Sequence, residues 1–387
     1  AVSLAANLGI LFFFKYYNFF AQSANGLLAA RGFPAVPLLG VLLPVGISFY
    51  TFQAIGYTVD VYRGSVSAEQ RFWRYLLFIS FFPQLVAGPI ERSGNILPQL
   101  QLPARFSYER AKSGLVLMLW GYIQKMVVAD RLALLADTVY AQGGALGGWA
   151  TAAATVLFCF ELYCDFSSYT DIARGAARIL GVELMENFRS PFLSQSVAEF
   201  WRNWHISLSS FFRDYLYIPL GGSKKGEGRT YLNLLVVWLF TGLWHGSTLN
   251  FLLWGLFLFA LISLERLGWG KVLRRSQVIS RLYMLLVIPL SWMLFAIPSL
   301  KDIGSYIGRL FAFSGGTAVH ARDFLVYGRQ YAVVLVIGLL VSTPLPEKLW
   351  RRIRTSPLGT VLLLVLFWVC VYCMAVATND PFMYFSF

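Results

Sequence analysis

The feature that most limits what this chain can fold into is a succession of apolar runs, each near the length of a bilayer crossing. They cover residues 3–20, 37–58, 73–90, 112–130, 150–165, 231–264, 282–298, 329–343 and 358–378. A hydrocarbon core of about 30 Å takes about 20 residues of helix. Composition points the same way: 57% of the 387 residues are hydrophobic and 13% charged, against about 25% charged in a soluble domain. Aromatic residues reach 17%, and Trp and Tyr concentrate where a protein meets the bilayer surface. The expected fold is all-α: one integral membrane domain across residues 1–387, polytopic, with about ten transmembrane or re-entrant helices. The segment 166–230 mixes aromatic and charged residues with Pro and Gly. It predicts short, tilted or interfacial helices buried among the spans.

A net charge of +13 does not imply nucleic acid here. The basic residues fall in short clusters between apolar runs, and no nucleic-acid-binding module surrounds them. Cys159, Cys164, Cys370 and Cys373 all lie in apolar stretches, which argues against a disulfide framework. The chain opens at Ala1, already apolar, with no basic n-region of a signal peptide; we expect that sequence precedes it.

Three basic clusters give a sidedness. They are Lys224, Lys225 and Arg229; Arg266, Lys271, Arg274, Arg275 and Arg281; and Lys348, Arg351, Arg352 and Arg354. The stretch AQGGALGGWA (141–150) carries no charge. The positive-inside rule puts the clusters in the cytoplasm and the neutral stretch outside. Basic clusters at both ends of 231–264 then require that run to turn back inside the membrane. TGLWHGSTLN (241–250) holds the turn-forming Gly242, Gly246, Ser247 and Asn250. The arms would be residues 231–241 and 251–264, about 16 Å and about 21 Å of helix. That places His245 near the tip, at mid-membrane depth. One long tilted helix with unusual loop charges is the competing geometry.

The three histidines are His205, His245 and His320. His320 sits in the polar stretch GGTAVHARD, where no role is expected. A histidine at membrane depth is costly unless it faces a polar cavity, which makes the other two functional candidates. They lie in EFWRNWHISLSSFFRDYLYIPLGG (199–222) and GLWHGSTLNFLLWG (242–255). No Cys or carboxylate pair nearby offers zinc or di-iron spacing, so no metal is expected. An imidazole can instead take a proton from a hydroxyl near neutral pH. A histidine kept only for buried structure is the alternative.

These motifs in order resemble the membrane-bound O-acyltransferases, and more narrowly their bacterial alginate O-acetyltransferase branch. WRNWHISLSSFFRDYLYIPLGG and GLWHG carry the likeness. FFPQLVAGPIERSGNILPQL (81–100), FELYCDFSSYTDIARGAARILGVELMENFRSPF (160–192) and NDPFMYFSF (379–387) extend it. The stretch 265–340 matches only in hydropathy. The resemblance implies a central tunnel in which acyl donor and acceptor meet from opposite sides. It implies catalysis by His245, with His205 a second member. It implies acetyl-CoA as the cytoplasmic donor substrate and no permanently bound cofactor. The acceptor would be an extracytoplasmic acetyltransferase partner protein or an exported polysaccharide, and the setting the bacterial inner membrane, crossed many times. Arg202 and Arg213 would contact CoA phosphates, Lys224 and Lys225 would steer the anionic donor, and Asn203 and Tyr217 would position the thioester or the histidine. Asp165, Asp171 and Asp214 would serve as structural partners for those arginines, and Pro83, Gly88 and Pro89 would shape a buried loop. Sister activities on the same fold are peptidoglycan O-acetylation and teichoic acid D-alanylation. A transporter of a small polar solute is the reading from another class.

Overall fold

The computed structural model describes residues 1–102, 105–141, 148–311 and 323–376, and all regular elements among them are helical. His320, most of the neutral stretch 141–150 and the closing motif 379–387 lie outside the described residues. The middle of the fold is one helix, Gly148–Ile179, of 32 residues, about 48 Å long. The expected span at 150–165 and the start of the mixed segment at 166–230 are therefore one element. Its acidic residues do not face lipid: Glu161 and Asp165 are buried, and Asp165 accepts from Lys125 at 2.7 Å. The helix Tyr108–Ile123 lies against it with the two backbones almost touching. A Cβ on Gly114 would stand 2.6 Å from the Gly175 carbonyl oxygen, and one on Gly121 2.7 Å from that of Ser168. Small residues at a crossing permit this approach, which gains van der Waals contact where lipid supplies no hydrophobic drive.

Beyond residue 180 the mixed segment does break into short pieces. Val197–Asn203 and Ile206–Phe212 turn Phe200, Trp201, Leu208, Phe211 and Phe212 inward. The Ser196 hydroxyl starts the first of them by accepting the Glu199 N–H at 3.1 Å.

The run at 231–264 forms a hairpin, and the single tilted helix is ruled out. The first arm is Glu227–His245; the chain leaves helical geometry at Gly246, and the second arm begins at Leu249. The arms lie flat against each other because Gly242 and Gly255 carry no side chain. A Cβ on Gly242 would be 2.4 Å from the Phe251 carbonyl oxygen, and one on Gly255 2.4 Å from that of Trp238. At the open end Arg266 pairs with Glu227 at 3.0 Å, so the two feet share one side. Arg281, from the next helix, joins that end by donating to the carbonyls of Leu193 and Ser194. The arms are longer than the sequence suggested: 19 and 16 residues, about 28 Å and about 24 Å. Helix continues through the polar foot at Glu227–Thr230. Arm length therefore no longer argues for mid-membrane depth. The tip instead meets the middle of the N-terminal helical stretch, at Lys15 and Tyr16.

The apolar run at 37–58 is not one helix. Residues 34–44 are non-helical, and helix begins at Ile47. Pro34, Pro37 and Pro44 oppose helix there, and side chains of the preceding helix Tyr17–Ala29 take up the freed backbone groups. Asn18 exchanges two hydrogen bonds with the backbone of Leu39, at 2.9 and 2.8 Å. Asn25 does the same with Val36, at 2.9 and 2.6 Å.

The count of about ten spans needs correction. Among the described residues three helices are long and apolar enough to cross a membrane: Leu249–Arg275, Gln277–Ala296 and Pro357–Val376. A fourth is added if Gly328–Val341 and Leu345–Ile353, bent by 80°, count as one broken span. The other apolar runs are split by proline, as at Phe81–Pro83, or carry charges that the protein itself buries.

Two outcomes follow. Single cysteines at Lys224 and Arg275 should react with an impermeant thiol reagent from the same side of the membrane; labelling from opposite sides contradicts the hairpin. Gly255→Val should destabilise the detergent-solubilised protein by about 1–3 kcal/mol through overpacking, read as a lower thermal midpoint. Gly304→Ala, which meets nothing within 4 Å, should not.

Candidate active site

A helix that ends inside an apolar protein leaves its last four carbonyls unpaired. The first arm of the hairpin ends this way, and the N-terminal helix supplies partners. Lys15 and Tyr16 fall in a π-helical turn, Phe12–Tyr16, a distortion common at functional sites. The Lys15 ammonium donates to the Trp244 carbonyl and, at 3.4 Å, to the Ser48 hydroxyl. The Tyr16 hydroxyl donates to the Leu243 carbonyl at 2.8 Å. Across the tip, the Asn250 amide donates to the carbonyls of Leu294 and Phe295 at 3.3 and 3.0 Å. His245 is the last helical residue of this clamped end. Its ring sits among Trp244, Trp254 and Phe295, with centroids 4.7, 5.1 and 5.0 Å away.

His205 arrives from the short-helix segment in an unusual conformation. Its φ of 46° and ψ of 56° are left-handed, a strain a non-glycine residue keeps only where its surroundings enforce it. Asn187 enforces it: its carbonyl accepts the Ile206 N–H and its side-chain oxygen the Ser207 N–H, both at 3.0 Å. His205 Nδ1 accepts the Leu208 N–H at 3.4 Å, so the neutral ring carries its proton on Nε2. That buried Nε2 has no hydrogen-bond partner among the described residues.

Both histidines line one cavity of about 220 Å³. At ~30 Å³ per water it has room for about seven waters, or for a small reacting group and its neighbour. Lys15, Ser48 and Asp165 supply its other polar walls, with Phe49, Phe166, Trp201, Trp204, Trp292 and Phe295 among the apolar ones. Non-helical residues Leu43–Gly46 close part of its rim.

Arg202, Asn203, Arg213, Tyr217, Lys224 and Lys225 are not among the lining residues. Arg202 is exposed and donates to the Ala198 carbonyl at 3.1 Å. The Asn203 amide donates to Ser194 at 3.2 Å. The Tyr217 hydroxyl lies 2.8 Å from that of Ser223. Arg213 pairs with Asp214 at 2.7 Å, and Lys224 and Lys225 are exposed at the hairpin's feet. Of the expected acid–arginine partnerships only Asp214 with Arg213 is present, shared with Arg92 at 3.1 Å. Asp171 takes Arg174 at 3.0 Å and the Gln124 amide at 3.1 Å, and Asp165 takes Lys125. Arg174 is three residues along the same helix as Asp171, while Lys125 and Gln124 come from a packed neighbour; none belongs to the histidine motif. Gly88 does sit in a tight buried turn with Pro83 and Pro89: a Cβ there would lie 2.5 Å from the Gln84 Cα. Lys15 escaped the sequence reading, although a lone lysine inside FFFKYYNFF is a signal.

Two histidines, a cation and a buried carboxylate around one small cavity in an apolar helical protein fit a membrane-embedded transferase. The family comparison agrees. The pattern of the membrane-bound O-acyltransferase family matches residues 66–301, and the chain belongs to that family. It is similar to a probable alginate O-acetylase of Pseudomonas putida, 33% identical over 407 aligned positions covering all of this chain and 84% of the relative. A probable alginate O-acetylase of Pseudomonas aeruginosa is 36% identical over 88% of this chain and 65% of its own length. A peptidoglycan O-acetyltransferase of Helicobacter pylori is 31% identical over 84% of this chain and 67% of its own length. The chain is thus a membrane-bound O-acyltransferase.

The clamp on His205 is testable. Asn187→Ala should cost about 1–3 kcal/mol, since it strands the buried Ser207 N–H, and should lower acyl transfer per folded molecule. An unchanged thermal midpoint and rate would remove Asn187 from this account.

Proposed function

We propose that this protein passes an acetyl group from cytoplasmic acetyl-CoA, through the inner membrane it crosses several times, to a hydroxyl on the far side. The acceptor is an exported alginate-like polysaccharide, or a partner acetyltransferase that hands the group on. The observation that carries this reading is the convergence of His205 and His245 on one cavity, His245 at the tip of a hairpin whose feet share the basic end. The exposed Lys224, Lys225, Arg202 and Arg213 give that end a positive mouth suited to the phosphates of CoA. Their place outside the cavity fits a role in capture and not in chemistry.

Within the cavity the two rings divide the work. His245 acts as general base and takes the acceptor hydroxyl's proton, and the oxygen attacks the thioester carbonyl carbon. The thiolate leaves and takes the proton back from the imidazolium. His205 presents Nε2–H as a donor that orients a substrate oxygen. The aromatic walls keep water from intercepting the thioester. Transfer in this scheme is direct, with no acyl-enzyme. The Helicobacter relative supports a second acceptor, peptidoglycan, reached by the same chemistry.

General-base catalysis contributes about 10²–10⁴-fold. His245→Ala should therefore lower acetyl ester on the exported glycan by at least about a hundredfold while the protein still accumulates. His205→Ala should lose as much or less. Acetylation that persists without His245 sinks the assignment.

A further inference from the structure

We propose that Lys15 stabilises the oxyanion of acyl transfer, donating from Nζ to the former thioester carbonyl oxygen as His245 takes the acceptor's proton. This rests on the acyl-transfer reading above and names a catalytic group that reading lacks. Attack on a thioester opens the carbonyl. The C=O π pair moves onto oxygen as the new C–O bond forms, and the charge persists until C=O re-forms and the C–S bond breaks. A site out of water needs a fixed donor at that oxygen.

Lys15 is placed for this. It lines the cavity with both histidines, and its ammonium is tied to the carbonyl of Trp244, the residue before His245. It also stands 5.6 Å from the Trp244 ring centroid. An ammonium has three N–H donors. The Trp244 carbonyl and the Ser48 hydroxyl account for two, and the third is available to the cavity. The cavity's carboxylate, Asp165, is ion-paired with Lys125 at 2.7 Å, which leaves Lys15 as the cation beside the reacting atoms. A plain helix-capping role is the competing explanation, because cations suit helix C-termini. Capping alone does not require a charge: the neutral Tyr16 hydroxyl already serves the adjacent carbonyl of Leu243.

The test uses the full protein in detergent or nanodiscs, with acetyl-CoA as donor, an unacetylated alginate-like oligosaccharide as acceptor, and steady-state CoA release as the readout. Lys15→Met should lower kcat about 10²–10³-fold, the range for losing one oxyanion donor, with KM for acetyl-CoA changed less than about threefold. Lys15→Arg should recover most of the loss. Lys15→Gln, a neutral donor, should fall between Arg and Met because charge-assisted hydrogen bonds are the stronger ones. Tyr16→Phe cuts the neighbouring tie at the same helix end without touching the cavity. It should lower the thermal midpoint while kcat per folded molecule stays within about threefold of wild type. The proposal is overturned if Lys15→Met keeps kcat while His245→Ala is inactive, or if Tyr16→Phe loses as much kcat as Lys15→Met. If His245→Ala keeps full CoA release, the acyl-transfer reading itself fails, and the role of Lys15 with it.

Discussion

Most of what matters in this protein depends on ending a helix where there is no water. A hairpin that turns inside an apolar fold exposes the carbonyls of its last turn, and each unsatisfied group there costs several kcal/mol. This chain answers with side chains from distant elements: Lys15 and Tyr16 on the first arm's end, and Asn250 on the end of Gln277–Ala296. Of these groups, Lys15 bonds the residue before His245 and lines the cavity with it. The site is a by-product of closing the hairpin, and the residue that closes it carries a charge into the cavity.

The hairpin was legible in the sequence because two one-dimensional signals conflict there. Loop charge demanded both ends of 231–264 on one side, and the Gly- and Asn-rich stretch at 241–250 offered the place to turn. The histidine motifs were legible as well, since aromatic–His pairs in apolar runs are rare and costly. Arm length was not, because a helix can run on through polar residues once a partner such as Arg266 takes up Glu227. The number of spans was not legible for a related reason. An apolar run does not show that its helix breaks, as at Phe81–Pro83, or that a charge within it, such as Lys125, is taken up inside the protein. The run at 37–58 reads as a span until Asn18 and Asn25 are seen bonding its backbone.

Lys15 shows where sequence reading stops. Its partner lies 229 positions away, and no local pattern links the two. The same holds for Lys125 with Asp165, 40 positions apart, where a motif-based guess pointed to arginines near His205. Polar residues buried in a membrane protein find partners by helix packing, and packing is the part that periodicity does not encode. The aromatic residues near the site have the opposite character. Composition announces them, but only the fold makes them the walls of one small cavity.

The central claim is that acyl transfer takes place in the cavity shared by His205 and His245. A cryo-EM structure with an acetyl-CoA analogue, its thioester sulfur replaced by methylene, tests this most directly. The account predicts the acetyl carbonyl between the two imidazoles, within hydrogen-bonding distance of Lys15, and the nucleotide toward the end that carries Lys224 and Arg266. An acetyl group bound elsewhere, such as in the separate cleft lined by Arg174, Arg178, Arg351 and Arg354, with the histidine cavity empty, would contradict it.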